Sequence, residues 1–362
     1  MAILLSQARF IISALPLGAD GRAGAADLEH DDVEAGPEVE RRTLDVPAGQ
    51  HGQRLDRALT ALVTEFSRSH LQQLIGEQAV RLNGELAVKP AQKVRAGDRL
   101  LVELRPTAMS QAFVPQAIAL AIVHQDEHVM VIDKPAGLVV HPAPGHWSGT
   151  LLNALLALDE RAAHLPRAGI VHRLDKDTSG LMVVARSRVA MDALVGQIAA
   201  RLVRREYLAL AQRTWSGPAV REIDAAIGRD PRNRLRMAVV DPARHSGKPA
   251  QTLVAWLQDA ESGCLLRCRL RTGRTHQIRV HLASIGHPLV ADTLYEGTPA
   301  AGMARQALHA WRLGFTHPET GRNLHFVASP PADFQAALVA WGLKMPSDDA
   351  TAMPPEDAAG SR

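Results

Sequence analysis

Residues 105–117, RPTAMSQAFVPQA, have no hydrophobic period and carry two prolines, so they divide the chain into two folding problems of unequal size. At 362 residues the chain also exceeds what one hydrophobic core usually organises. The expected layout is an unstructured leader over 1–45, a small unit over 46–104, a linker over 105–117, a larger domain over 118–343 and an unstructured tail over 344–362. The first 18 residues hold an apolar run. Gln7 and Arg9 interrupt it, no basic segment precedes it, and acidic, Ala/Gly-rich sequence follows, which is unlike a secretory signal. No stretch of about 18 uninterrupted apolar residues occurs, so no membrane span is expected.

Charge is unevenly placed. Of 41 bases and 38 acids, residues 1–40 and 346–362 together take three bases and twelve acids. The body from 41 to 345 is left with 38 bases and 26 acids, a net +12 inside a formal +3 for the whole chain. That is the balance of a polyanion binder. Cys264 and Cys268 stand four apart with no second Cys/His set at zinc-ligand spacing, and they read as packed thiols in a reducing, cytoplasmic setting.

In the small unit, RLDRALTALV puts Leu55, Ala58, Leu59 and Leu62 on one helical stripe, and Ser67 is placed to cap a second helix, SRSHLQQLIGE. VRLNGELA alternates around Asn83-Gly84, a tight hairpin turn, and GDRLLVEL closes the unit as a strand. Arg54, Arg57, Arg68, Arg81, Lys89, Lys93 and Arg95 are expected to face solvent. In the larger domain, AIVHQDEHVMVIDKPAGLVV reads as a hairpin, LLNALLAL as a helix and LMVVARS as a strand. ALVGQIAARLVRREYLAL reads as a helix running into a strand, LLRCRLRTGRTHQIRVHL as a strand, a turn and a second element, and RNLHFVAS as a further strand. Helices and strands do not alternate regularly, so the expected class is α+β with a mainly antiparallel mixed sheet flanked by helices.

Two segments carry chemistry. In GIVHRLDKDTSGLMVVA, a charged run and a Thr-Ser-Gly turn between apolar strands set Asp175 on a loop at the sheet edge, where catalytic groups are commonly held. Read without context, the same loop could be a solvated turn capped by Asp177 or Thr178. LRTGRTHQIRVHL crowds Arg271, Arg274, His276, Arg279 and His281, which suits either phosphate recognition or a basic surface strand. His276 and His281 have no further ligand at helical spacing, so no metal is expected.

Together these segments resemble the RluA/RluD family of pseudouridine synthases over nearly the whole body. The resemblance rests on His172-Arg173-Leu174-Asp175 with Thr178-Ser179-Gly180, on Arg205 to Ala209 (REYLA), and on Thr272 to His281 (TGRTHQIRVH). It also rests on Asp133 to Gly145 (DKPAGLVVHPAPG) followed by TLLNALL, and on QALHAWRLGFTHP. The small unit is similar to an S4 (α-L) RNA-binding domain, with Gln78 where such domains usually place a glycine and Gly76 offering a shifted helix end. HPLVADTLY carries Ala291 and Thr293 where relatives usually have glycine and proline.

The resemblance implies isomerisation of uridine to pseudouridine without metal or organic cofactor, by a monomer acting on RNA, most closely large-subunit (23S) ribosomal RNA. It assigns Asp175 as the catalytic carboxylate, Tyr207 as the ring that stacks on the base and Arg279 as the partner of Asp175. Arg173 is expected to enter the space the flipped base leaves, and His172, Thr178, Arg274, His276 and Gln277 to contact RNA. Phosphate contacts are expected between Arg229 and Arg236 and from the S4 face. Two rivals are a non-catalytic RNA-binding or ribosome-assembly factor on the same scaffold, and a hydrolase using Asp175 and Asp177 as acid and base.

Overall fold

The computed structural model describes residues 40–104, 112–143 and 145–346. The expectations for residues 1–39, 105–111 and 347–362 lie outside the described residues. Packing divides the chain between Arg105 and Pro106 into two units.

In the first unit β1 (Glu40–Asp45), β4 (Arg99–Leu104), β2 (Val80–Leu82) and β3 (Glu85–Leu86) form an antiparallel sheet in that order, against α1 (Leu55–Leu62) and α2 (Arg68–Gly76). Leu55, Ala58, Leu59, Leu71, Leu74 and Ile75 fill its core from the two helices. Ser67 accepts from the His70 amide and caps α2. Asn83 and Gly84 adopt φ 53° and 88°, the left-handed pair a two-residue hairpin needs. One boundary is corrected: the leader does not extend to residue 45, because Glu40–Asp45 pairs residue for residue with β4. Four charged residues in six hid this strand from pattern reading. The seven basic residues are all exposed. Arg54 and Arg68, however, converge on the fully buried Asp56 at 3.0 and 2.8 Å, and Arg54's hydrogen bonds hold that carboxyl well below its ordinary range.

The second unit is built on a nine-stranded sheet. Its order is β5 (Ala121–Gln125), β6 (Val129–Lys134), β7 (Ser179–Ala185), β15 (Leu308–Thr316), β8 (Arg204–Gln212), β14 (Gly263–Leu270), β13 (Gln251–Asp259) and β9 (Val220–Asp224), with β16 (Asn323–Val327) also paired to β15. Only β7 and β15 run parallel; the other neighbours are antiparallel. A small sheet, β10 (Ile227–Arg229) between β11 (Met237–Val239) and β12 (Gly247–Lys248), projects beyond β9 in sequence. Helices α3 (Leu151–Leu158), α4 (Arg188–Ala199), α5 (Gln277–Ser284) and α6 (Ala332–Ala340) complete the unit.

Strand β8 shows why the sheet is central. Its alternate residues serve both faces: Tyr207, Ala209 and Ala211 join the core that includes α3, while Leu208 and Leu210 pack with Phe334 and Leu338 of α6. Burying a leucine such as Leu155 contributes about 2 kcal/mol. Gly180 sits at φ 113°, and a Cβ there would come 2.3 Å from the Ala310 carbonyl oxygen, so glycine is what lets β7 pair with β15. The linker is also corrected. Its described end packs on the second unit, where Asn153 of the α3 capping box donates to the Val114 carbonyl at 2.9 Å and accepts from the Thr150 amide at 3.0 Å.

Candidate active site

Asp175 belongs to the loop between a left-handed turn at Arg167–Gly169 and strand β7. The Thr178 amide donates to the Asp175 carbonyl at 3.1 Å and closes the loop on itself. Lys134, at the end of β6 and fully buried, donates from Nζ to the carbonyls of Pro135, Leu138 and Lys176 at 2.8, 3.0 and 3.0 Å. The DKPAG segment thereby anchors the Asp175 loop. Burial pushes the Lys134 ammonium down to about 8, opposed by the charges of Asp177 and Asp175. On the far side Arg305 donates to the Asp177 carbonyl at 2.9 Å and pairs with Asp333.

The Asp175 carboxylate is 15% exposed and accepts from Arg279 Nη1 at 3.2 Å, across 104 residues of sequence. Arg279 holds another carboxylate more tightly. Its Nε and Nη2 both donate to Asp292 at 2.7 Å, a bidentate pair with a nearly fully buried acid. Burial works against the Arg279 charge, but the hydrogen bonds and charge of Asp292, with those of Asp175, outweigh it and raise its pKa. The guanidinium also lies 5.0 Å from the centroid of the Tyr295 ring.

His276 begins α5 in a left-handed conformation, φ 57°, with Nε2 3.9 Å from Asp175 Oδ1. The Tyr295 hydroxyl accepts from the Met237 amide at 3.1 Å and lies 2.8 Å from His276 Nδ1. Burial lowers the His276 pKa against the pull of Asp175, keeping the ring neutral. Tyr207, 4% exposed on β8, is pushed up to about 12 by burial, with Arg205 opposing and Asp175 adding, so it is a phenol at neutral pH.

Asp175, Tyr207, His276 and Arg279 line one cavity of about 690 Å³. Its described lining includes seven arginines and one carboxylate, Asp175. All nine residues singled out from sequence line it, but they differ in what they leave free. Arg173 and Arg274 are exposed, the latter donating to the Pro249 carbonyl at 3.1 Å. Thr178 is buried and takes a 3.4 Å bond from Gln306. His172 Nε2 accepts from the Val183 amide at 3.1 Å, and burial, followed by the Arg205 charge, lowers its pKa to about 3. Only its Nδ1 is without a partner. Gln277 is corrected from substrate contact to scaffold. Its oxygen accepts from Thr272 and from the Arg274 amide, and its nitrogen donates to the Gln251 carbonyl and Thr252, which uses the whole amide. His281 is likewise engaged by Thr252 and the Ala225 carbonyl. Asp177 does not line the cavity, which removes the geometry an Asp175/Asp177 hydrolase would need.

Sequence reasoning missed Asp292, Tyr295, Lys134 and Arg205. The first two lie in HPLVADTLY, whose departures from the family pattern drew attention to Ala291 and Thr293 instead. Ala291 adopts φ 58°, the conformation a glycine would favour, and Thr293 opens a 3-10 turn, so the backbone path survives both changes.

A carboxylate, a guanidinium shared with it, a buried phenol and a ring of arginines at one cavity define an enzyme for a polyanionic substrate. Residues 128–284 match the family model described as RNA pseudouridylate synthase, and residues 53–100 match the S4 domain. Over 320 residues the chain is 47% identical to "Ribosomal large subunit pseudouridine synthase D" of Neisseria meningitidis serogroup B, covering 85% of this chain and 84% of that one. Over 331 residues it is 45% identical to the protein of the same name from Nitrosomonas europaea, covering 89% and 94%. A solved structure, "Human RNA Pseudouridylate Synthase Domain Containing 4", superposes with a TM-score of 0.50 at 26% identity, covering 63% of this chain and 95% of that one. The chain belongs to the RNA pseudouridine synthase family and carries an S4 domain ahead of the synthase domain. Among the described residues no helix is long and apolar enough to cross a membrane.

Proposed function

We propose that this chain isomerises uridine to pseudouridine in large-subunit (23S) ribosomal RNA, as a monomer in the cytoplasm, with Asp175 as the group that acts at the ribose C1′. The names of its relatives support the substrate. The observation that carries the chemistry is the Asp175 carboxylate held beside Arg279 in an arginine-lined cavity.

The reaction breaks the N1–C1′ bond, turns the uracil and joins C5 to C1′, with loss of the proton on C5 and gain of one at N1. It is an isomerisation with no net electron transfer. A carboxylate beside an anomeric carbon on which positive character develops can act covalently or as a base. Arg279 sets a guanidinium against the Asp175 carboxylate, and the Asp292 pair aims that arginine. Tyr207 offers a flat face to the uracil and a neutral hydroxyl at its edge. The target must leave its helix to reach the cavity, at a cost of a few kcal/mol. Arg173, exposed at the rim, occupies the space the base leaves.

The test is a map of pseudouridine across ribosomal RNA in a strain lacking the gene. A defined set of large-subunit uridines should lose the modification and regain it with the intact gene but not with Asp175→Asn. An unchanged map would overturn the reading.

A further inference from the structure

Arg205 precedes Tyr207 by two residues on β8, so both side chains emerge on the same face of the sheet, and both line the cavity. Arg205 is 6% exposed, yet no group among the described residues accepts a hydrogen bond from its guanidinium, and its Nε is buried without a partner. Other buried arginines of this unit are matched with acids: Arg269 with Glu206 at 2.9 Å and Arg279 with Asp292 at 2.7 Å. Among the described residues the acidic group whose charge bears on Arg205 is the Tyr207 phenol, which stays protonated. A buried cation without a counterion is costly, and the described cavity lining holds one carboxylate, Asp175, against seven arginines. The anion has to come with the substrate.

Gly273 points the same way. Its φ is not in the left-handed region, so the backbone does not require glycine there. A Cβ at this position would come 2.8 Å from Arg205 Nη1 and near no other residue's atoms. The bare backbone therefore keeps open the space beside the guanidinium.

We propose that Arg205 binds a backbone phosphate next to the target uridine, in an ion pair formed only when the flipped nucleotide is in the cavity. The inference rests on the uridine-isomerising reading above. Uracil and ribose can accept hydrogen bonds but are neutral, and phosphate is the group of RNA that neutralises a guanidinium while matching its fork of donors. Arg205 is thus a substrate-binding residue that ties seating of the nucleotide to charge compensation inside the protein.

The experiment uses the full chain and a synthetic stem-loop that contains the mapped uridine, with the phosphate on its 5′ or 3′ side replaced in turn by a neutral methylphosphonate. Wild type should lose about tenfold or more in single-turnover conversion at one of the two positions. Arg205→Met should show a similar loss on the all-phosphate RNA and no further loss at that position. Arg205→Lys should recover part of the activity. Gly273→Ala keeps the charge but displaces the guanidinium and should mimic Arg205→Met in milder form. If Arg205→Met fails to fold, the wild-type and Gly273→Ala arms decide the matter. Wild-type indifference to both methylphosphonates, or additive losses in the variant, would overturn the proposal alone. No conversion of the all-phosphate RNA by wild type would overturn the isomerase reading, and the proposal with it.

Discussion

Arg279 gives two donors to Asp292 and a third to Asp175, and the distances rank the two acids: 2.7 Å twice against 3.2 Å once. Asp292 therefore fixes the Arg279 guanidinium, and a positioning role for it is open to test. Asp292→Asn should lower kcat roughly 100-fold while leaving RNA affinity within about threefold, because a small misplacement of a catalytic group costs rate before binding. An unchanged kcat, measured with affinity on the same RNA, would mean that Asp175 is aimed by something else. The Asp175–Arg279 contact could be anticipated from family resemblance. Asp292 could not, since it stands 13 residues beyond the arginine in a loop where no helical or strand period sets the spacing.

Among elements, the end of α2 shows how a departure from pattern is absorbed. The helix closes at Gly76 with Glu77 as its cap, and Gln78 takes φ 59° in the place a glycine usually holds. The Ala79 amide still reaches the Leu74 carbonyl at 2.9 Å, so the capping bond forms around a residue that pays conformationally for its side chain. Gln78→Gly should stabilise the N-terminal unit by about 0.5 to 1 kcal/mol, read from hydrogen exchange of its core amides in the full chain. Gly76→Ala should not destabilise, because nothing lies within 4 Å of a Cβ there and the residue is helical. A loss from Gly76→Ala would instead put the cap at Gly76. Elements with local signals were legible: the α1 stripe, the Ser67 cap and the Asn83-Gly84 turn. Strand β1 and strand β13 were not. The former is two-thirds charged, and the latter is a run lacking alternation whose strand character comes from partners on both sides, β9 and β14.

At the scale of the molecule, the sheet is knitted by buried neutral histidines. His309 on β15, fully buried, lies 3.0 Å from Ser179 Oγ through Nδ1 and donates from Nε2 to the Ala328 carbonyl at 3.0 Å. Burial lowers its pKa to about 4, against the opposing bond to Ala328. Between pH 6.5 and 4 the unfolded chain binds a proton here that the folded chain does not. Stability is then full above pH 6.5 and falls as the pH drops toward 4, by up to about 3 kcal/mol. His309→Gln should be less stable than wild type at pH 7, with the gap narrowing by about that amount near pH 4 in denaturant titrations. A gap that stays constant with pH would refute the linkage. Fold class, the mixed sheet and the basic body were readable at this scale because composition and element order report them. The convergence of the Asp175 loop, β8, β14, α5 and β15 on one cavity was not, because each contact spans tens of residues.

The claim on which the rest depends is that the Asp175 carboxylate does the chemistry while other residues hold the RNA. Single-turnover conversion of an RNA stem-loop containing the target uridine, with RNA affinity measured on the same preparation, tests it most directly in Asp175→Asn. The account predicts no detectable pseudouridine with affinity within about threefold of wild type, since Asn keeps the shape and loses the charge. Conversion by the variant at a rate near wild type would contradict it.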